Sequence, residues 1–313
     1  MKPVILVSGA NPAWQKVLLF SSFCRGEVNR VRTSIQFASG KGVNFCRACA
    51  NYGKAEGLLV QFAGGENLTR IDTALTTEQI RFHSISCVAD TRTCTTCIDE
   101  SENLATELIE PSFPATEEEC KNYTNWIAAH INECTGGAVC GTLPTGTNPD
   151  LYGKIAHMFA CAGKPLLIDS FIATDLMLAT GVDAVLKINS EELNALTGEQ
   201  KISSGIKMLI NRYPNLRAVA ITCGKNPAWL GERNRLDCFS IPPLEQIVNP
   251  IGSGDTASAV FWSEVLCGTP LQEAFACGLA AASANCLSLR CGDFTQEDWQ
   301  QLHERIVIAP ANE

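Results

Sequence analysis

The segment VNPIGSGDTASAVFW, residues 248–262, holds the densest chemistry in the chain. Its turn, Gly252-Ser253-Gly254, opens directly into a helical pattern. Backbone N–H groups left unpaired at such a helix start form an anion site. Asp255 stands at that start. Alone it reads as an N-cap carboxylate, a common role for Asp. Two glycines beside it also let a ligand approach the backbone closely. A carboxylate next to an anion hole is what a general base for phosphoryl transfer requires.

Five further segments carry polar groups that could meet a ligand. In FASGKGVNFCRACANYG, 37–53, Gly40, Lys41 and Gly42 precede a helix with Asn44 in its first turn. This is either a strand-to-helix turn with a solvated lysine or a substrate-binding turn. In DTRTC, 90–94, Arg92 stands in a strand-like run. Its planar fork suits a phosphate or carboxylate, although an exposed edge-strand charge would look the same. GTLPTG, 141–146, follows an apolar strand and puts Gly141 and Thr142 at its carboxyl end, where ligands bind in parallel sheets. In LKINSEEL, 186–193, Asn189 and Glu192 follow another strand end. They could face a water-bound Mg2+ or simply cap a helix. AITCGKNPAWL, 220–230, reads as a strand, a tight turn and a second strand.

These segments need a frame, and the apolar runs supply one. VILVSG, GLLVQFAGG, GGAVCGTLP, PLLIDSF, AVLKINS and LRAVAITCG are short and alternate with helical segments. That pattern predicts an α/β fold with a mostly parallel sheet covered on both faces. Thr116 to Glu119 fits a capping box for a helix over about 116–133. After Gly252 the chain reads as helical to about residue 306. The N-terminal third breaks the alternation, with extra strands from about 12–37 and 80–110. A small β-sheet lid over the sheet's mouth is the expected result. No linker or repeat divides residues 1–313, so one large domain with an inserted lid is expected.

The chain has 24 Lys and Arg against 33 Asp and Glu, a net charge of −9. That argues against a broad nucleic-acid surface or an anionic membrane as partner. It leaves room for a basic pocket that takes a small anion. No apolar stretch reaches the roughly 18 residues of a membrane span, and the N-terminus lacks the long apolar region of a signal peptide. The expected compartment is the cytoplasm. Most of the 16 cysteines lie in apolar surroundings and read as small buried hydrophobes. Two CxxC pairs, Cys46/Cys49 and Cys94/Cys97, raise a zinc site. Core packing is favoured, because residues three apart on a strand point to opposite faces.

GSGDTA also fits a loose dinucleotide pattern, with Glu273 about 20 residues beyond. That fingerprint needs a following strand, and here helix follows helix. An NAD-linked oxidoreductase is rejected on that ground. Ile35 stands where a P-loop would need its first glycine, so no Walker A loop is present.

Taken in order, NPAW, GEVNRV, SGKGVN, DTRT, GTLPTG, NSEE, TCGKNPA and GSGD resemble the phosphofructokinase-B branch of the ribokinase-like carbohydrate kinases. The 1-phosphofructokinase and tagatose-6-phosphate kinase group is the most similar branch. The resemblance implies a three-layer sandwich with about nine strands, and a lid that mediates a homodimer. It implies ATP and Mg2+ as cofactors and a sugar or sugar phosphate as acceptor. By likeness, Asp255 is the base, and the backbone of Gly252, Ser253 and Gly254 holds the transferring phosphoryl group. Asn189 and Glu192 match the motif that organises Mg2+ through water. Lys187, Asn189, Thr222, Gly224 and Asn285 fall on the nucleotide side. Gln15, Gly40, Lys41 and Asn44 match sugar-binding positions. Arg92, Gly141, Thr142 and Arg30 match positions around the acceptor's own phosphate.

The implied reaction is phosphorylation of fructose 1-phosphate, fructose 6-phosphate or tagatose 6-phosphate to a bisphosphate. Three positions depart from the family pattern. Gln15 stands where many relatives have Asp, Ser39 where a second glycine is usual, and Pro227 where a glycine follows the nucleotide turn. Gln15 keeps open a kinase for an unphosphorylated sugar or nucleoside. The three together keep open a non-catalytic sugar-phosphate sensor, which the intact GSGD opposes.

Overall fold

This computed structural model describes residues 2–311 of the chain. A ten-stranded sheet forms its centre, in the order β14-β13-β12-β11-β10-β9-β8-β1-β4-β5. Seven of these strands run parallel: β1 (Val4–Ser8), β4 (Glu56–Gly64), β5 (Arg81–Cys87), β8 (Gly136–Cys140), β9 (Leu166–Asp169), β10 (Ala184–Asn189) and β11 (Leu216–Cys223). Three antiparallel strands extend one edge: β12 (Asn226–Glu232), β13 (Arg235–Ser240) and β14 (Val307–Pro310).

Strand alternation divides the core in two. Leu6 of β1, Leu58 and Val60 of β4, and Leu186 and Ile188 of β10 face one side. They meet α3 (Glu117–His130), α4 (Asp150–Cys161), α5 (Thr174–Leu178), α6 (Ser190–Thr197) and α7 (Ile202–Arg212). Ile5, Val7, Leu59 and Val185 face the other side. There lie α1 (Lys41–Tyr52), α2 (Gly65–Thr77), α8 (Ser253–Leu266) and α9 (Leu271–Asn285). Helix α10 (Gln296–His303) packs outside α9, with Leu302 against Ala280 and Ala284. Each such Leu or Ile contributes about 1.5–3 kcal/mol through burial. Among the described residues no helix is long and apolar enough to cross a membrane.

A separate four-stranded sheet runs β3-β2-β6-β7. Its strands are β2 (Ala13–Phe20), β3 (Thr33–Ser39), β6 (Thr93–Asp99) and β7 (Leu104–Ile109). Val17, Leu19, Phe37 and Ile98 line its inner face and pack on Ile251, Leu289 and Cys291. The lid therefore rests on the segments that flank the Gly252 turn.

One stretch assigned to the lid from sequence lies elsewhere. Residues 81–87 pair in parallel with β4 and form the edge of the large sheet. An edge strand is half exposed, so its apolar–polar alternation matches that of a lid strand. The sheet also has ten strands where about nine were expected. The expected capping box is present: Thr116 accepts from the Glu119 N–H, and Glu119 accepts from the Thr116 N–H. Chain order α8–α9 contains no intervening strand, so the dinucleotide unit is absent there. Cys46 and Cys49 lie in α1, Cys94 and Cys97 in β6. Among the described residues no group of metal-ligating side chains gathers around them.

Candidate active site

The parallel strands point their carboxyl ends to one edge of the sheet, beneath the lid. Helix α8 begins there. Gly252, its N-cap, has φ 81°, and a Cβ at that position would lie 2.6 Å from Cys291 Cβ. Only glycine fits this turn. No side chain caps the helix; Ser253 N donates to the Pro250 carbonyl at 3.3 Å, and the N–H groups of Gly254 and Asp255 remain for an anion. Ser253 and Gly254 form the first turn with Asp255, which is 6% exposed.

Asp255 is held in a buried ionic cluster. Asn44 Nδ2 donates to Asp255 Oδ2 at 2.8 Å. Lys41, at the start of α1, donates to Asp169 Oδ1 at 3.0 Å. Lys187, near the end of β10, lies 3.7 Å from Asp169 Oδ2 and donates to the Gly254 carbonyl at 2.9 Å. Ser258 Oγ donates to Asp169 Oδ2 at 2.6 Å.

These neighbours set the charges. Burial and the nearby Asp169 charge push the Asp255 carboxyl up to about 6, against the pull of Lys41, Asn44 and Lys187. Burial opposes the charge on Asp169, but the Lys187 and Lys41 ammonium groups hold its carboxyl below its ordinary value. Burial also opposes the charge on Lys41, yet Asp169, Asp255 and Glu192 together raise it, so Lys41 stays protonated. Two carboxylates in one cluster thus have opposite tendencies, Asp255 holding a proton more readily than Asp169.

The consequence for activity has a definite sign. Were Asp255 the group that takes the acceptor's proton, it would have to be ionised, and the rate would fall as pH drops through its folded-state pKa. The acid limb of kcat/KM in a pH–rate profile is expected near pH 6. A limb at the ordinary carboxylate position near 4 would contradict this environment.

Gly40 opens α1 with φ 111°, and a Cβ there would lie 2.7 Å from Pro12 Cα. This close approach joins the NPAW segment to the α1 start. Gly141, at φ 79°, sits against the Lys41 stem. Asn11 Nδ2 donates to Thr142 Oγ1 at 3.3 Å, and Arg92 Nη2 donates to the Asn11 carbonyl at 3.4 Å. Arg92, Thr142 and Asn11 thus form one polar group at the side of a cleft that Ser112 and Pro144 help line. Arg92 Nε is buried and has no hydrogen-bond partner among the described residues. Such a donor costs about 1–3 kcal/mol unless a ligand or water meets it.

Gln15 is buried on the inner face of the lid, where its Nε2 donates to Thr96 Oγ1 at 2.8 Å. Arg30 is not brought to this group. It is exposed on the loop between β2 and β3 and makes no ion pair among the described residues. Asn189 and Glu192 form a reciprocal capping box at the start of α6. Both side chains thus serve as caps, and the Glu192 charge still reaches Lys41. Thr222 lies beside Asn189 in the β10–β11 register. Gly224, at φ 59°, makes the turn into β12. Pro227 falls where the β11–β12 register shifts and before the β12–β13 ladder begins, so its missing N–H breaks no pair.

Asn285 requires a correction. It is fully buried beneath the Gly252 turn. Its Oδ1 accepts from Gly292 N and Thr256 Oγ1, and its Nδ2 donates to the Ile251 carbonyl. These bonds hold Oδ1 and one Nδ2 hydrogen, and the side chain is fully buried, so Asn285 shapes the turn and offers no exposed surface to a nucleotide. Sequence reasoning also missed Asp169 and Asn11. Asp169 closes the apolar run PLLID, and a charged residue ending a buried strand was the available signal. Asn11 lies within the NPAW motif.

An uncapped glycine-rich helix start beside a buried carboxylate and two lysines suits phosphoryl transfer. The profile described as pfkB family carbohydrate kinase matches residues 11–298. The chain belongs to that family and is a carbohydrate kinase, which implies ATP and a divalent metal. It is 22% identical to a tagatose-6-phosphate kinase from Staphylococcus epidermidis, over 97% of this chain and 99% of the relative. Its fold is similar to that of a possible 1-phosphofructokinase from Thermotoga maritima, with TM-score 0.88, 15% identity and coverage of 99% and 100%. It is also similar to phosphofructokinase-2 from Escherichia coli in complex with fructose-6-phosphate, with TM-score 0.83, 19% identity and coverage of 96% and 98%.

Proposed function

We propose that the protein transfers the γ-phosphoryl group of ATP to a hydroxyl of a ketohexose phosphate, with Asp255 as general base. Fructose 1-phosphate, fructose 6-phosphate and tagatose 6-phosphate are the candidate acceptors, and the product is a bisphosphate. The observation that carries the reading is Asp255 itself: a buried carboxylate of raised proton affinity in the first turn of an uncapped helix.

Bound ATP with Mg2+ supplies an electrophilic phosphoryl group whose charge the metal partly neutralises. The residues present suit both. The unpaired first-turn N–H groups of Gly254 and Asp255 meet developing negative charge, and Lys41 and Lys187 add positive charge nearby. Asn189 and Glu192, at a strand end, would hold the metal through water, with Thr222 and Gly224 beside them on the nucleotide side. Asp255 takes the acceptor's proton. Gly40, Lys41, Asn44 and Gln15 orient the sugar, and Arg92 with Thr142 holds its existing phosphate. Arg30 joins the phosphate site only if its loop moves inward.

A second copy of the chain fits the lid, because edge strand β7 exposes Leu104, Leu108 and Ile109. We assign the enzyme to the cytoplasm, where ATP is supplied.

The phosphate role of Arg92 has a direct test. Arg92→Met is expected to raise KM for the sugar phosphate by about 10–100-fold, the value of a charge-assisted hydrogen bond. The KM for ATP stays unchanged. Steady-state kinetics in both substrates measures this, and an unaltered sugar-phosphate KM would remove Arg92 from the site.

A further inference from the structure

Ser39 stands where a second glycine is usual in the family pattern. Its side chain has a more specific place. Ser39 Oγ donates to Asn44 Oδ1 at 3.0 Å, and the hydroxyl is buried. Asn44 Nδ2 in turn donates to Asp255 Oδ2 at 2.8 Å.

The orientation of this carboxamide follows from its neighbours. An ionised carboxylate only accepts hydrogen bonds, so the nitrogen end must face Asp255. A guanidinium only donates, so the oxygen end must face Arg47, whose Nη1 lies 3.4 Å from Oδ1. That contact is long for a hydrogen bond. The Arg47 head is committed elsewhere, to the Ala38 and Cys291 carbonyls and to Glu78. Ser39 is therefore the closer holder of Oδ1.

We propose that Ser39 is a positioning residue, whose hydroxyl locks the Asn44 carboxamide so that Nδ2 donates to the Asp255 carboxylate. With glycine at position 39, Asn44 Oδ1 keeps only the long Arg47 contact, so the amide is held less firmly against Asp255. The hydroxyl thus links the end of lid strand β3, through Asn44, to the Asp255 carboxylate. Lys41 from α1, Asp169 from β9, Lys187 from β10, Cys140 from β8 and Cys291 after α9 also face Asp255. Ser39→Ala alters none of these charges.

The sign follows. A donor to the carboxylate favours its ionised form, so loosening Asn44 raises the Asp255 pKa. The test is a carboxyl-carbon NMR titration of free protein labelled with 13C-aspartate, between pH 4.5 and 8. The Asp255 resonance is identified by its absence in Asp255→Asn. In Ser39→Ala the Asp255 midpoint is expected to move up by about 0.5–1 unit. Ser39→Gly is expected to shift the same way, and Ser39→Thr, which keeps the hydroxyl, to restore the wild-type midpoint. Midpoints within about 0.2 unit of wild type in both Ala and Gly variants would overturn the proposal.

The kinetic arm rests on the reading of Asp255 as base. If the acid limb of kcat/KM moves with the NMR midpoint, both stand. An NMR shift without a kinetic shift supports the role of Ser39 and counts against the base.

Discussion

Asp255→Asn is expected to lower kcat by about 10²–10⁴, the range for loss of a general base. KM for both substrates should change little, because the variant keeps the shape of the side chain and its contact with Asn44. The effect is large because no other group can replace the carboxylate. Asp169 is tied to Lys41, Lys187 and Ser258, and its low proton affinity makes it a poor acceptor. The helix N-terminus and the lysines remain, so residual turnover above the uncatalysed rate is also expected. Single-turnover kinetics reads the chemical step. A kcat within a factor of ten of wild type would place the base elsewhere.

The second large effect is on stability. Asp169→Ala leaves the Lys187 ammonium buried without its counter-charge, since both side chains are under 5% exposed. Breaking a buried pair by removing one partner costs about 3–5 kcal/mol. The half-buried Lys41 loses its partner as well. A second consequence separates this from a plain packing defect. Asp169 raises the proton affinity of Asp255, so its removal should move the acid limb of the pH–rate profile downward from about 6. Urea unfolding and the pH profile measure the two effects. Stability within about 1 kcal/mol of wild type would mean that the pair is solvated.

The sequence made much of this arrangement legible, for physical reasons. Short apolar runs between helices allow few sheets, and the strands that position the site follow them. Gly252 to Asp255 is local: turn, helix start and carboxylate are consecutive, so their geometry can be read from residue types. Asn189 and Glu192 are also consecutive enough to read, and both the cap and the strand-end placement were visible.

Asp169 was hidden because its meaning is not local. It bonds Lys41 across 128 residues of sequence and Ser258 across 89. Nothing in PLLIDSF reveals those partners. Residues 81–87 were misplaced because an edge strand and a lid strand share one exposure pattern, and only pairing distinguishes them. Asn285 looked like a ligand-facing amide. Its burial depends on how α9 packs under the Gly252 turn, which no spacing encodes. Gln15 and Ser39 were visible as departures from the family pattern. Their bonds to Thr96 and Asn44 needed the lid in place.

The central claim, a kinase that adds a second phosphate to a ketohexose phosphate, is tested most directly by coupled ADP release with Mg2+ and ATP. Fructose 1-phosphate, fructose 6-phosphate and tagatose 6-phosphate would be compared with free fructose, ribose and adenosine. At least one phosphosugar is expected to exceed every unphosphorylated acceptor in kcat/KM by about 10-fold or more, the value of one charge-assisted contact. Turnover confined to an unphosphorylated acceptor would contradict the claim, as would silence on all six while sugar phosphate and ATP still bind.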